Sequence, residues 1–293
     1  MPVTGNPPDS WVKARRRIQR RESREKLRTM AKRPLTILAV AVLLAAGLAV
    51  GITLGLKSET IAGRYCQKSF VPAYFDASGW PQATSGKHTP AAMILNPATG
   101  IGAGTAPNPG FQDAVRQAHK AGIAVLGYSS TADGQRPLAQ IEADVRNYKN
   151  WYGINGIFLD SVGGTGADFP YYRRISDYIH RIIPGSQVWL NPGIYPARQY
   201  MSIGDVVMVF EGTYAQYRDI SVPGWARGFP ADRFADTVYG AYTSSQANSA
   251  ISLARSRNAG YVFVTNLSGA NPYDALPGYW TSEVTAITAG CGR

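Results

Sequence analysis

The sequence predicts a (β/α)8 barrel of the TIM type, preceded by a single N-terminal transmembrane helix. Three observations predict it. Eight short apolar runs alternate with amphipathic stretches from about residue 70 onward, polar residues stand at the carboxyl ends of those runs, and one long uncharged segment lies near the N-terminus. With 293 residues the chain has ample length for one large domain and its core.

The elements follow in chain order. Residues 1–33 form a tail with 11 Lys+Arg against 3 Asp+Glu, a net of +8 out of the chain's +11. Only +3 remains for residues 57–293, so the high isoelectric point describes the tail, and a nucleic-acid partner for the barrel is not expected. Segment 34–56, PLTILAVAVLLAAGLAVGITLGL, carries no charge and as a helix would span about 35 Å, enough to cross a bilayer. The basic stretch before it is too long for a cleaved signal peptide, the apolar run exceeds the usual signal length, and no A-x-A site follows at GLKSET. A retained signal anchor in the cell membrane is therefore expected, single-pass, with the tail cytoplasmic and everything beyond Lys57 outside. Residues 57–69 read as a short linker and 70–293 as the barrel.

Cys66 and Cys291, the only cysteines, bracket this exported domain, where disulfides are permitted, and are expected to pair. There is no C-x-x-C, and His88, His119 and His180 show no ligand spacing, so neither a metal nor a cofactor is expected.

The strand candidates are VPAYFD at 71, AAMILNP at 91, AVLGYSS at 124, GIFLDS at 156, VWLNPG at 188, DVVMVFEG at 205, FADTVYGAY at 234 and YVFVTNL at 261. Helical stretches such as FQDAVRQAHKAG, PLAQIEADVRNYKNWYG, YYRRISDYIHRI and SSQANSAISLARSRNAG lie between them. The connection TYAQYRDISVPGWARGFPADR between strands six and seven shows no clear helix and reads as a long functional loop. A doubly wound open sheet is the competing arrangement.

Active sites of such barrels sit at the carboxyl ends of the strands. Those ends hold Tyr74 and Asp76, Asn96, Tyr128 and Ser130, Asp160, Asn191, Glu211, Tyr239 and Tyr242, and Asn266. Carboxylates do acid and base work, amides and hydroxyls bond to sugar hydroxyls, and aromatic faces lie against pyranose rings, so the set is what a glycan cleft requires. Polar residues also favour strand ends for ordinary turn reasons. Asp160 and Glu211 stand out because each ends an apolar run with no basic neighbour. There is no G-x-S-x-G elbow, H-E-x-x-H or Walker loop.

From VPAYF at 71 to NPYDALPGYW at 271–280, the domain resembles the spherulation-specific family 4, or spherulin-4-like, proteins. The blocks NPATGIGAGTAPNPGF, GQRPLAQIEADVRNYKNWYGINGIFLD, VVMVFEGTYAQYRD and AGYVFVTN carry the resemblance. It implies a (β/α)8 barrel related to glycoside hydrolases that cut α-1,4-linked galactosamine or N-acetylgalactosamine polymers. Its acidic motif falls on Asp160 and its F-E-G glutamate on Glu211, and Tyr214 of the following block joins the expected substrate-binding set. Two positions depart from the family pattern. Many relatives read F-F-D-E where this chain has FLDS, placing Ser161 where a second acid is usual, and Y-F-Y-P is replaced by YFDA, which adds Asp76. Two readings follow: a membrane-anchored hydrolase with Glu211 as acid/base and Asp160 as nucleophile or stabiliser, or a glycan-binding module without turnover. Both take a polysaccharide as partner.

Overall fold

The computed structural model describes residues 65–98, 100, 102–289 and 291. The expected cytoplasmic tail and the membrane span at 34–56 lie outside them, and among the described residues no helix is long and apolar enough to cross a membrane.

All eight strands form where the apolar runs predict them: β1 Lys68–Ala73, β2 Ala92–Leu95, β3 Ala124–Ser130, β4 Gly156–Asp160, β5 Gln187–Leu190, β6 Val206–Thr213, β7 Phe234–Tyr239 and β8 Tyr261–Val264. Every neighbouring pair is parallel, and the pairing of Lys68 with Tyr261 and Ser69 with Val262 joins β8 back to β1. That closure excludes the open doubly wound sheet. β1 begins ahead of residue 70 and so takes in the end of the expected linker. Cys66, just before it, is disulfide-bonded to Cys291, just beyond the last helix, with Cα atoms 4.6 Å apart. Closing the barrel brings its two chain ends to one seam.

Among the described residues seven α-helices accompany the strands, six between them and the last after β8: α1 Pro81–Thr84, α2 Pro109–Lys120, α3 Leu138–Tyr152, α4 Phe169–Ile182, α5 Tyr214–Tyr217, α6 Ser244–Ser256 and α7 Trp280–Thr288. Local chemistry starts several of them. Asn108 accepts from the Gly110 and Phe111 amides at the head of α2, and Thr243 with Gln246 forms a capping box on α6. Each long helix buries one stripe, as in Ile141, Val145, Tyr148 and Tyr152 of α3. A Cβ at Gly127 would meet the Tyr148 ring at 2.5 Å, so glycine is what lets α3 lie this close to β3. Between β6 and β7 there is only the single turn of α5 and two 3-10 turns, Gly224–Gly228 and Ala231–Arg233, in keeping with the weak helix signal there.

Aromatic rings fill the barrel's interior. Phe70 on β1 and Trp189 on β5 stand on opposite sides of the ring of strands, yet their centroids are 5.4 Å apart, and Trp189 also meets Tyr261 at 4.7 Å. A second apolar cluster lies outside the sheet, where Phe210, Val238, Val262 and Val264 face Tyr217, Ala250, Ile251 and Ile287.

Candidate functional site

The aromatic filling ends below a polar layer at the carboxyl ends of the strands. Asp160 is the last residue of β4 and is placed there by simple alternation. Phe158 points inward to stack on Tyr128 at 6.2 Å, Leu159 points outward, and Asp160 points inward again. Glu211 needs an irregularity to reach the same layer. On β6, Met208 faces inward toward Thr237 of β7, and strict alternation would then turn residue 211 outward. The register shifts between Met208 and Phe210, which sends Phe210 into the outer cluster and brings Glu211 into the mouth.

One amide joins the two acids. Asn191, directly after β5, donates one Nδ2 hydrogen to Asp160 Oδ1 at 2.7 Å and the other to Glu211 Oε2 at 2.6 Å. The two carboxylate oxygens thus lie less than the sum of these bonds apart, below roughly 5.3 Å, well short of the about 6.5–9.5 Å of inverting glycosidases and on the side of the closer-set retaining ones. Tyrosines supply the outer oxygens. Tyr128 donates to Asp160 Oδ2 at 2.7 Å and Tyr273 to Glu211 Oε1 at 2.7 Å, while the half-buried Tyr74 packs edge-on against both rings, at 5.4 and 5.6 Å. Every carboxylate oxygen of the pair accepts a hydrogen bond from the protein.

Burial and the charge of Glu211 push the Asp160 carboxyl up to about 6, against the lowering effect of the Tyr128, Ser161 and Asn191 donors. Two acids this close hold one proton as a unit. At rest it is Asp160 whose proton affinity is raised, so the expected assignment of Glu211 as the acid requires the proton to reach Glu211 when substrate binds. Burial raises Tyr74 first, and Asp160 next, keeping its phenol protonated.

A buried ion pair holds the neighbouring wall. Arg136 Nη1 meets Asp144 Oδ2 of α3 at 2.7 Å and also donates to Ser129 Oγ and the Ser130 carbonyl, while Asp144 accepts from Ser129 Oγ at 2.8 Å and from the Ala103 amide at 3.2 Å. This fixes the end of β3 next to Tyr128. The backbone at Ser161 takes a left-handed conformation, φ 54°, which is locked as its carbonyl accepts from the Asp133 amide and from Thr131 Oγ1.

The structure thus brings together Asp160, Glu211, Asn191, Tyr128 and Tyr74 of the expected set. The other expected residues have different surroundings. Asp76 is exposed and its carboxylate makes no hydrogen bond or ion pair among the described residues, so nothing in its contacts ties it to the acid pair. Asn96 is buried and closes its own loop by accepting from the Gly100 amide. Asn266 accepts from the Gly278 amide and so shapes the loop that carries Tyr273. Tyr214 packs against the outer cluster, and Tyr239 ends β7 opposite Thr213. Sequence reasoning missed Tyr273, which lies nine residues past the end of β8. Its one signal was the NPYDALPGYW block, where Asn271 Oδ1 accepts from the Tyr273 amide and Asn271 Nδ2 reaches toward the Tyr74 carbonyl.

Spherulin-4 of Physarum polycephalum is 24% identical over 235 residues, which cover 76% of this chain and 70% of the relative. The crystal structure of Sph3 from Aspergillus clavatus, in complex with GalNAc, superposes with a TM-score of 0.66 at 22% identity, covering 76% of this chain and 97% of Sph3. The glycoside hydrolase domain of PelA from Pseudomonas aeruginosa aligns at a TM-score of 0.45 and 17% identity, over 72% of this chain and 97% of that domain. Residues 70–287 match the family described as Spherulation-specific family 4, and the chain belongs to that family.

Proposed function

We propose that this protein is a membrane-anchored, extracytoplasmic glycoside hydrolase that cuts an exopolysaccharide containing α-1,4-linked galactosamine or N-acetylgalactosamine. The observation that carries the reading is the Asp160–Asn191–Glu211 bridge, which holds the two carboxyls too close for a water-mediated inverting mechanism and so favours double displacement. GalNAc bound by the Sph3 relative supports the sugar class, and the apolar 34–56 segment supports the anchor.

In this mechanism one carboxyl gives its proton to the glycosidic oxygen as the other attacks the anomeric carbon, breaking the sugar–oxygen bond and leaving a glycosyl ester. Water then attacks the same carbon and loses a proton to the first carboxylate, which frees the second. Asn191 has only hydrogens to offer its two carboxylate oxygens. The mobile proton therefore sits on an oxygen facing Tyr128 or Tyr273, whose hydroxyls can turn to accept.

The test is reducing-end release from a panel of galactosaminoglycans by the full-length protein. Azide added to Asp160→Ala and Glu211→Ala assigns the roles through the configuration of the glycosyl azide formed, inverted where the nucleophile is missing and retained where the acid/base is missing. Protease applied to intact cells should remove the barrel and spare the tail; recovery of a secreted barrel without residues 1–56 would overturn the anchor. Ser161, standing where many relatives carry an acid, favours the second reading of a module that binds glycan without cutting it. Binding with no reducing-end release from any polymer on the panel would establish that reading instead.

A further inference from the structure

Among the described residues only two large apolar side chains are exposed, Tyr242 at 68% and Ile194 at 42%. Single exposed apolar residues are ordinary on protein surfaces. These two share one face, since Ile194 follows β5 and Tyr242 follows β7, and the strand between them, β6, carries Glu211. The backbone beside Ile194 is tied to that strand, as the Glu211 amide donates to the Gly193 carbonyl at 3.2 Å.

The backbone that carries Tyr242 is tied on both sides. It immediately precedes Thr243, the cap of α6, a position whose apolar side chain usually folds down onto the fourth residue of the helix. Here that residue is the buried Ala247, yet the tyrosine ring stays in solvent. The chain on either side is rigid. The Gly240 amide donates to the Leu267 carbonyl, the Ala241 amide to the Thr265 carbonyl, and Tyr279 Oη to the Ala241 carbonyl, while Thr243 is fixed by its capping box. Gly240, with φ 67°, lies under the phenol end, where a Cβ would sit 3.6 Å from the Tyr242 hydroxyl. The ring makes no aromatic contact with another described side chain. An exposed aromatic with an open face, carried on a hydrogen-bonded backbone, is the usual platform for the C–H face of a pyranose.

We infer that Tyr242 is the stacking platform of an outer sugar subsite, with Ile194 as an apolar contact on the opposite side of β6, holding polysaccharide units beyond those at Asp160 and Glu211. This rests on the polysaccharide reading above. It makes efficiency depend on chain length, because a short oligosaccharide fills the acid pair without reaching the platform, whereas a polymer occupies both.

The experiment compares full-length wild type, Tyr242→Ala and Tyr242→Trp on an α-1,4-galactosaminoglycan polymer and on the shortest oligosaccharide that the wild type cleaves. In Tyr242→Ala, kcat/KM on the polymer should fall about 10-fold through KM, the value of one stacking contact, with a smaller loss on the oligosaccharide. Tyr242→Trp should keep the wild-type preference for polymer. Equal losses on both substrates, or no loss on the polymer, would overturn the inference. Affinity electrophoresis in gels containing the polymer separates failure of the subsite from failure of the hydrolase reading. A wild type that cleaves nothing but is retarded more than Tyr242→Ala keeps the subsite and loses the enzyme, while equal mobility of the two removes the subsite.

Discussion

Two sectors of this barrel bury carboxyl groups, and they do so in opposite ways. At the mouth, Asp160 and Glu211 each keep a half-exposed edge, and all four of their oxygens accept hydrogen bonds from Asn191, Tyr128 and Tyr273. On the β7–β8 side, Asp236 and Glu283 are enclosed. Asp236 accepts from Tyr217 at 2.5 Å and Glu283 from the Val264 amide at 2.8 Å, but each leaves one buried oxygen without a partner among the described residues. Burial pushes Asp236 up to about 7, higher than Asp160, and raises Glu283 well above its ordinary range. A raised carboxyl therefore does not by itself mark the site. What distinguishes the mouth is a second acid at fixed distance, paired donors and access to solvent, whereas the enclosed sector holds isolated acids that stay neutral at low pH.

The largest expected effect belongs to the enclosed side of the molecule, at the seam where the chain ends meet. Replacing Cys66 and Cys291 together by serine opens a loop of 225 residues' separation, and chain entropy puts the upper bound of the loss at about 5 kcal/mol. Denaturant unfolding reads it, and assays below the lowered transition should find turnover as before. If turnover fell with stability, the two sectors would be coupled.

Next come the acids of the mouth. Asp160→Asn and Glu211→Gln are near-isosteric, so each should fold as the wild type does and lose roughly 10²-fold or more in kcat, equivalent to about 3 kcal/mol. The wild-type kcat/KM should fall on the alkaline side with an apparent pKa of about 6, as the shared proton leaves the free enzyme. Full activity in both variants would make the pair structural and erase the contrast.

Asp236 tests the other half of the comparison. Its carboxyl is raised from 3.8 to about 7 on folding, so below pH 3.8 it is neutral in both states, and stability is lost as pH rises from there to about 7, where the unfolded chain ionises and the buried group does not. Asp236→Asn should remove at most about 4 kcal/mol of that pH-dependent loss, leaving the part that Asp160 and Glu283 contribute, without altering turnover. An unchanged slope in thermal melts between pH 4 and 8 would show that Asp236 does not titrate there.

The smallest effect expected is at Tyr273. Tyr273→Phe keeps the ring contacts with Tyr74 and Phe263 and removes only the donor to Glu211 Oε1. That leaves Glu211 Oε1 without this donor, and should displace the pH profile and lower kcat/KM about 10-fold. A smaller polymer preference with an unmoved profile would instead mean that Tyr273 contacts substrate without tuning the acid.

The sequence by itself determined the barrel and one of its acids. β3 is AVLGYSS, residue for residue as its apolar run suggests, and Asp160 could be placed because β4 is regular: strict alternation from Phe158 makes it an inward residue once the strand is known. The disulfide was legible for a similar reason, since Cys66 and Cys291 stand at the two ends of a closed structure. Glu211 was found from its position after an apolar run, but its inward direction depends on the shift between Met208 and Phe210, which alternation alone would have read the wrong way. Only the tertiary structure decided how Asn191 is shared between two acids on different strands, that Tyr273 returns from a loop far along the chain to hold Glu211, and that Asp236 faces the outer layer. Those outcomes depend on which strands and loops meet around the ring, a relation between distant segments that local periodicity does not encode.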